Sequence, residues 1–237
     1  MKRSEVPASA REAARQAQAQ VASGFDRVLL YEFEYLEEHL RLAEEKFIGN
    51  ADEMKRRLRL DLEGMDEDER SRYTDSMVDE WDKIVDSLPR LQWYAQFLVI
   101  YSSFEYSLSQ LCRIVQKRSK FKLSEKDLYG QGIQRAANYL SKVAGVDTPF
   151  TNTGWQHALL LGEIRNCIAH NNGMLLLEAK NKKALSSRLR DIAGIDFNEF
   201  VPDPERVQLN LSPTFVRESI KHLQQILSTI ANYELYA

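Results

Sequence analysis

The sequence predicts a mainly α-helical bundle with one small β-hairpin just before the last helix. Three observations carry this reading. Glycine (10) and proline (6) are scarce in 237 residues, whereas Ala, Leu, Glu, Arg and Gln, all good helix formers, are abundant. Apolar residues recur in steps of three and four through most of the chain. Extended character is confined to "IDFNEFVPDPERVQLNL", residues 195–211, two short runs around a Pro-Asp-Pro turn.

The elements follow in order. Ser9 and Glu12 in "SARE" have capping-box spacing and open a helix near residue 10. Phe25, Leu29, Phe33, Leu36, Leu40, Ala43 and Phe47 then form a heptad seam suited to another helix. Gly49-Asn50 reads as its end, and Asn50 to Glu53 as the cap of a second, short helix. The stretch from Asp61 to Asp86 is acidic, yet Met77, Trp81, Ile84 and Leu88 give it an apolar stripe. Its charges read as a solvated face, a repulsive flank towards RNA, or a docking face for a basic partner.

Ser87-Leu88-Pro89 reads as the start of a long helix, with proline in its first turn. Trp93, Phe97, Ile100, Phe104, Leu108, Leu111 and Val115 make its apolar stripe, and Lys117, Arg118 and Lys120 suit its C-terminal end. Ser124 and Asp127 cap a further helix that carries Ile133, Ala137, Leu140 and Val143 up to Gly145. Asn152 or Thr153 caps the next, which stops at Asn171-Asn172-Gly173. A basic helix is expected near 179–193, and Ser212-Pro213 opens the final helix. The seam at Ser87-Leu88-Pro89 divides an N-terminal helical extension, 1–88, from a core, 89–237.

Hydrophobic residues make up 43% of the chain, enough for a real core, and net charge is −3. Such a chain is not a general nucleic-acid coat, though a local basic patch could still bind RNA. No apolar run approaches the roughly 18 residues that cross a bilayer, and the N-terminus lacks a signal-type apolar block. A soluble cytoplasmic protein without membrane contact is therefore expected. Cys112 and Cys167 form neither a disulfide framework nor a metal pair. The four histidines show no HExxH or other metal spacing, so no metal or cofactor is expected. His39 and His222 read as surface residues.

The chemistry concentrates in "EIRNCIAHNNG", residues 163–173, directly after the apolar "WQHALLLG". Asn166 and His170 are four apart and share a helix face, so the amide can orient the imidazole. Arg165 and His170 are five apart, roughly 140° around the axis. They do not stack directly: the arginine must curl round, the helix must distort, or a second chain must close the site. The bland alternative is a cationic helix C-terminus that favours the dipole.

At this point the sequence resembles the HEPN superfamily, whose signature is arginine, four to six residues, then histidine, commonly with a polar residue after the arginine. "RNCIAH" fits with a four-residue gap and Asn166 in the polar place. The upstream "FLVIYSSFEYSLSQL" is similar to the family's earlier core helix, with Glu105 in its acidic place. The resemblance covers residues 89–237 as an HEPN-like helical core and leaves 1–88 unexplained. It implies a metal-independent endoribonuclease, acting as a homodimer whose two motifs meet, of the toxin or anti-phage defence kind, restrained by an antitoxin or regulatory partner. In those roles His170 is general acid or base, Arg165 stabilises the phosphorane, and Asn166 orients His170 or holds a phosphate. Glu105 positions Arg165 or polarises the 2′-hydroxyl; a plain salt-bridged helix residue is the alternative. Histidine's ordinary pKa of about 6.5 suits proton transfer near neutrality, and guanidinium fits phosphate by a two-pronged contact.

Candidate RNA contacts are Arg113, Lys117, Arg118 and Lys120 on the long helix, and Lys180, Lys182, Lys183, Arg188 and Arg190 after the motif. Each cluster also fits a solvated helix face. Tyr101, Tyr106 and Tyr129 could stack bases or serve the core. The competing function is a catalytically inactive HEPN-like module that binds a nucleotide or a protein; a plain coiled-coil scaffold is a third.

Overall fold

A computed structural model of the chain describes residues 8–146, 150–176, 184–199 and 203–236, with side-chain surroundings given between residues 31 and 231 of those ranges. The expected fold class is present: a mainly helical chain with a small antiparallel sheet ahead of the last helix. Its helices are α1 (Ala8–Asp61), α2 (Glu67–Asp82), α3 (Leu88–Ser119), α4 (Gly132–Lys142), α5 (Thr153–Asn171), the short α6 (Leu185–Leu189) and α7 (Pro213–Tyr236). Among the described residues no helix is long and apolar enough to cross a membrane.

Several local signals act as their chemistry requires. The Asn152 side chain accepts from the Trp155 amide at 2.9 Å and caps α5. Ser212 does the same for Phe215 at 3.2 Å, with Pro213 opening α7. Asp66 and Glu69 form a reciprocal capping box on α2. On the heptad seam Phe33 and Leu40 are buried, and Leu36, Ala43 and Phe47 are half-buried; Phe25 and Leu29 lie outside the described side chains.

Other expectations need correction. Gly49-Asn50 does not end α1, which runs on to Asp61. Glu53 pairs with Arg56 and Arg57 one turn ahead, which supports the helix beyond the glycine. Helix α3 does start at Leu88 with Pro89 in its first turn, but no break precedes it. A π-helical turn, Lys83–Ser87, joins α2 to α3, and the Leu88 amide reaches back to the Lys83 carbonyl. Pro89 has no N–H, and its ring would crowd the carbonyl four residues back; the wider turn lies where that conflict falls. Ser124 and Asp127 cap only a 3₁₀ turn, Glu125–Asp127, and α4 begins five residues later. Of the basic helix expected near 179–193, residues 177–183 lie outside the described part, and within 184–193 only α6 is helical.

The sheet has three strands, β1 (Met174–Leu176), β2 (Ile195–Glu199) and β3 (Arg206–Leu211), in the order β1-β3-β2. The expected hairpin is the β2–β3 pair, with Phe197 opposite Leu209; β1 adds an unforeseen third strand, with Leu175 opposite Val207. In β3 Val207, Leu209 and Leu211 are buried and alternate with more exposed residues, the period of a half-buried strand.

The chain divides into two compact units, each built from separated segments. The first comprises Met1–Tyr35, Ile100–Gly162 and Ile220–Ala237. Its core holds Phe104, Leu108, Tyr139, Leu140 and Trp155, with the Trp155 indole edge-on to Phe150. The second comprises Leu36–Val99 and Glu163–Ser219, and includes the whole sheet. Here Phe47 meets Trp93 edge-on, Phe97 packs on Phe215, and Gln96 donates to the Leu36 carbonyl. Glu44 and Arg217, both partly buried, form an ion pair at 2.5 Å.

Candidate functional site

Helix α5 buries one face and presents the other. Trp155, Ala158, Leu161, Ile164, Cys167 and Ile168 are buried at helical spacing. Gly162 is the one residue in this stretch without a side chain to bury, and a Cβ there would strike the Tyr101 hydroxyl. Tyr101 is thus a core residue that donates to the Ala158 carbonyl, not a base-stacking platform; Tyr106 and Tyr129 are exposed.

In the second unit Glu163, Asn166 and His170 lie on the exposed face of α5, and Arg165 is half-buried at its flank. The Arg165 guanidinium donates to the Asn166 amide oxygen at 2.8 Å. The asparagine is therefore engaged with the arginine, and the guanidinium curls towards the face that carries His170. Glu163 holds Arg188 of α6 at 2.6 Å, so that candidate RNA contact is already in an ion pair. Both partners are well exposed, and such pairs contribute little to stability.

The end of α5 is tied down. Asn172 and Gly173 both adopt positive φ, 49° and 75°, the left-handed turn that closes many helices. The Gly173 amide turns back to the Cys167 carbonyl at 3.2 Å, and the Leu209 amide of β3 donates to the Gly173 carbonyl at 2.9 Å. Gln208 donates through its side-chain amide to the Asn172 carbonyl at 2.7 Å and to the Tyr94 hydroxyl at 2.9 Å. The buried Tyr94 hydroxyl donates in turn to the Leu209 carbonyl. Burial pushes the Tyr94 phenol above its ordinary range, so it keeps this proton at neutral pH. An open cleft of about 410 Å³ starts at Asn171 and passes over β1 to Leu185 and Arg206.

Of the other candidates, Glu105 lies in the first unit, half-buried on α3 and facing Gly132 at the start of α4. Arg113 and Lys117 are exposed and Arg118 is half-buried, also in the first unit. Lys182 and Lys183, with Lys180, lie outside the described residues. Burial pushes the Cys167 thiol up to about 11, which leaves no thiolate for nucleophilic work at neutral pH. His39 is exposed as expected, whereas His222 is half-buried. Its Nε2 lies 2.9 Å from the Gly154 carbonyl, and its ring meets His157 edge-on at 4.6 Å. Among the described residues no group of three or more His, Cys, Asp and Glu side chains is placed to hold a metal ion.

Sequence reasoning missed Tyr94 and Gln208. One is hidden in an apolar stripe and the other in a strand, and only the fold brings them to the end of α5. Comparison of the chain with protein-family models, with curated proteins and with solved structures gives no match.

Proposed function

We propose that this protein is a metal-independent endoribonuclease that cleaves RNA through the 2′-hydroxyl, with Arg165, Asn166 and His170 as its chemical edge. One observation carries the reading. Asn166 and His170 lie on the exposed face of α5 with half-buried Arg165 at its flank, while Ile164, Cys167 and Ile168 between and beside them are buried. A helix that is core on one side thus carries a proton-transfer group and a phosphate-binding cation on the other. In the reaction the 2′-oxygen attacks phosphorus and loses its proton to a base. The 5′-oxygen leaves with a proton from an acid, giving a 2′,3′-cyclic phosphate and a 5′-hydroxyl. Each chain offers one motif histidine, so a homodimer would supply both proton carriers. The cleft beside Asn171 leaves room for the chain flanking the scissile bond. A role as a toxin or anti-phage effector, held in check by an antitoxin or regulatory partner, follows from the resemblance of "RNCIAH" to the HEPN signature.

The test is cleavage of total RNA by the purified chain in EDTA, with end-group analysis. His170→Ala and Arg165→Ala should each lower the rate by about 10²-fold or more, and the products should carry 5′-hydroxyl ends. Equal cleavage by wild type and both variants removes the assignment. The second reading, an inactive module that binds a partner protein, draws on Leu88, Leu91 and Val99, which are exposed on α3. It is favoured if the wild type leaves RNA intact.

A further inference from the structure

We infer that Tyr94 and Gln208 are positioning residues for His170, acting through the turn that closes α5. The catalytic consequence rests on the ribonuclease reading; the positioning itself does not.

His170 sits in the last turn of a helix, where the backbone normally frays. Its side chain is exposed. Here the two residues that follow Asn171 are fixed from outside the helix. The single side-chain amide of Gln208 uses two donors at once, one on the Asn172 carbonyl at 2.7 Å and one on the Tyr94 hydroxyl at 2.9 Å. The Tyr94 hydroxyl donates its own hydrogen bond to the Leu209 carbonyl, and the next strand bond, from the Leu209 amide, returns to Gly173. The loop of bonds is closed: Tyr94, Leu209, Gly173, Asn172, Gln208 and back to Tyr94. All its members belong to the second unit.

Sterics say the same as the hydrogen bonds. A Cβ on Gly173 would collide with the Tyr94 hydroxyl and lie 2.9 Å from the Gln208 amide nitrogen. The turn therefore rests directly on these two side chains. Tyr94 is only 3% exposed, so its ring cannot swing away. The Arg90 guanidinium lies 5.9 Å from the ring centroid and adds a further neighbour. The Cys167 thiol donates to the Met174 carbonyl at 3.6 Å, immediately after the turn. The last turn of α5 is thus anchored by the sheet, and His170 projects from an anchored backbone. A proton carrier needs this, since misplacement by about 1 Å can cost about 10²-fold in rate.

The experiment uses the full chain with histidine labelled at ¹³Cε1, as wild type, Tyr94→Phe and Gln208→Ala. Tyr94→Phe keeps the ring and removes only the hydroxyl. The His170 resonance should move or broaden in both variants, while that of His39, exposed on α1, stays in place. At saturating RNA, kcat should fall by about 10- to 100-fold with KM within about twofold, because the variants misplace a reacting group without removing a binding contact. An unmoved His170 resonance overturns the inference, and so does a wild-type kcat in Tyr94→Phe. If the wild type cleaves no RNA, the ribonuclease reading fails, and the resonance alone still decides whether the clamp holds His170.

Discussion

Three glycines of the second unit offer a graded test of the backbone geometry. Gly49 lies inside α1 with open space around it. Alanine there should stabilise by about 1 kcal/mol, the usual helical preference. Gly64, between α1 and α2, has φ +85° and again open space. Alanine in that conformation costs about 1–2 kcal/mol, offset by about 0.4–1 kcal/mol from the stiffer unfolded chain, a net loss near 1 kcal/mol. Gly173 combines φ +75° with the collision against Tyr94 and Gln208. The same conformational term plus about 1–3 kcal/mol of overpacking gives a net loss of about 2–4 kcal/mol. Urea unfolding followed by far-UV circular dichroism measures each difference from the shift in midpoint at constant slope. The order Gly49, Gly64, Gly173 is the expected result. If Gly173→Ala costs no more than Gly64→Ala, Tyr94 does not press on the turn as described. A double variant with Tyr94→Phe isolates the contact, because removing the hydroxyl should recover part of the Gly173→Ala loss.

Two further expectations concern titratable groups. Burial, with the neighbouring His222 ring, holds the His157 imidazole below the usual histidine range. The unfolded chain protonates this ring at about pH 6.5 and the folded chain only at lower pH, so stability is full above that value and declines as pH falls through it. The melting temperature should therefore drop between pH 7 and 5.5, and His157→Gln should flatten that slope; an unchanged slope refutes the assignment. Cys112 and Cys167 are both buried, and the Cys167 thiol is pushed up to about 11. Iodoacetamide at pH 8 should leave the folded chain at its unmodified mass and add two adducts in urea, whereas rapid labelling of folded Cys167 would contradict its burial.

The features that the sequence made legible are those decided by a few neighbouring residues. Asn152, Ser212-Pro213 and Asn172-Gly173 mark helix ends because a side-chain oxygen, a missing N–H or a left-handed turn acts within four residues. The i to i+4 relation put Asn166 and His170 on one face, and both are exposed. Gly49-Asn50 misled because a single exposed glycine costs only about 1 kcal/mol, less than the helix gains by continuing. Strand β1 was invisible because "MLL" is too short to show a period, and its partner β3 begins 30 residues after it ends. His222 looked like a surface residue because its neighbour Lys221 is charged and exposed, yet its own ring lies against His157 of α5. The clamp was beyond reach for the same reason as β1: Tyr94 and Leu209 are 115 positions apart.

The electrostatics of α5 set a condition on the proposed chemistry. A helix C-terminus carries a partial negative charge on its free carbonyls, equivalent to about half an elementary charge. His170 sits at that end, whose partial charge repels an approaching phosphate and so disfavours its binding. Two features act against this repulsion. The carbonyls of Cys167, Asn172 and Gly173, next to the helix end, accept from Gly173, Gln208 and Leu209, so these three are already engaged by donors. Arg165, bridged to Asn166 at 2.8 Å, brings a full positive charge to the flank of the same face. Without the arginine the proposed site would keep its proton carrier but lose the guanidinium at the flank of that face. In the proposed mechanism Arg165 and His170 are therefore different requirements of one site. The arginine should hold the phosphate and stabilise its crowded transition state, and the histidine should carry the proton.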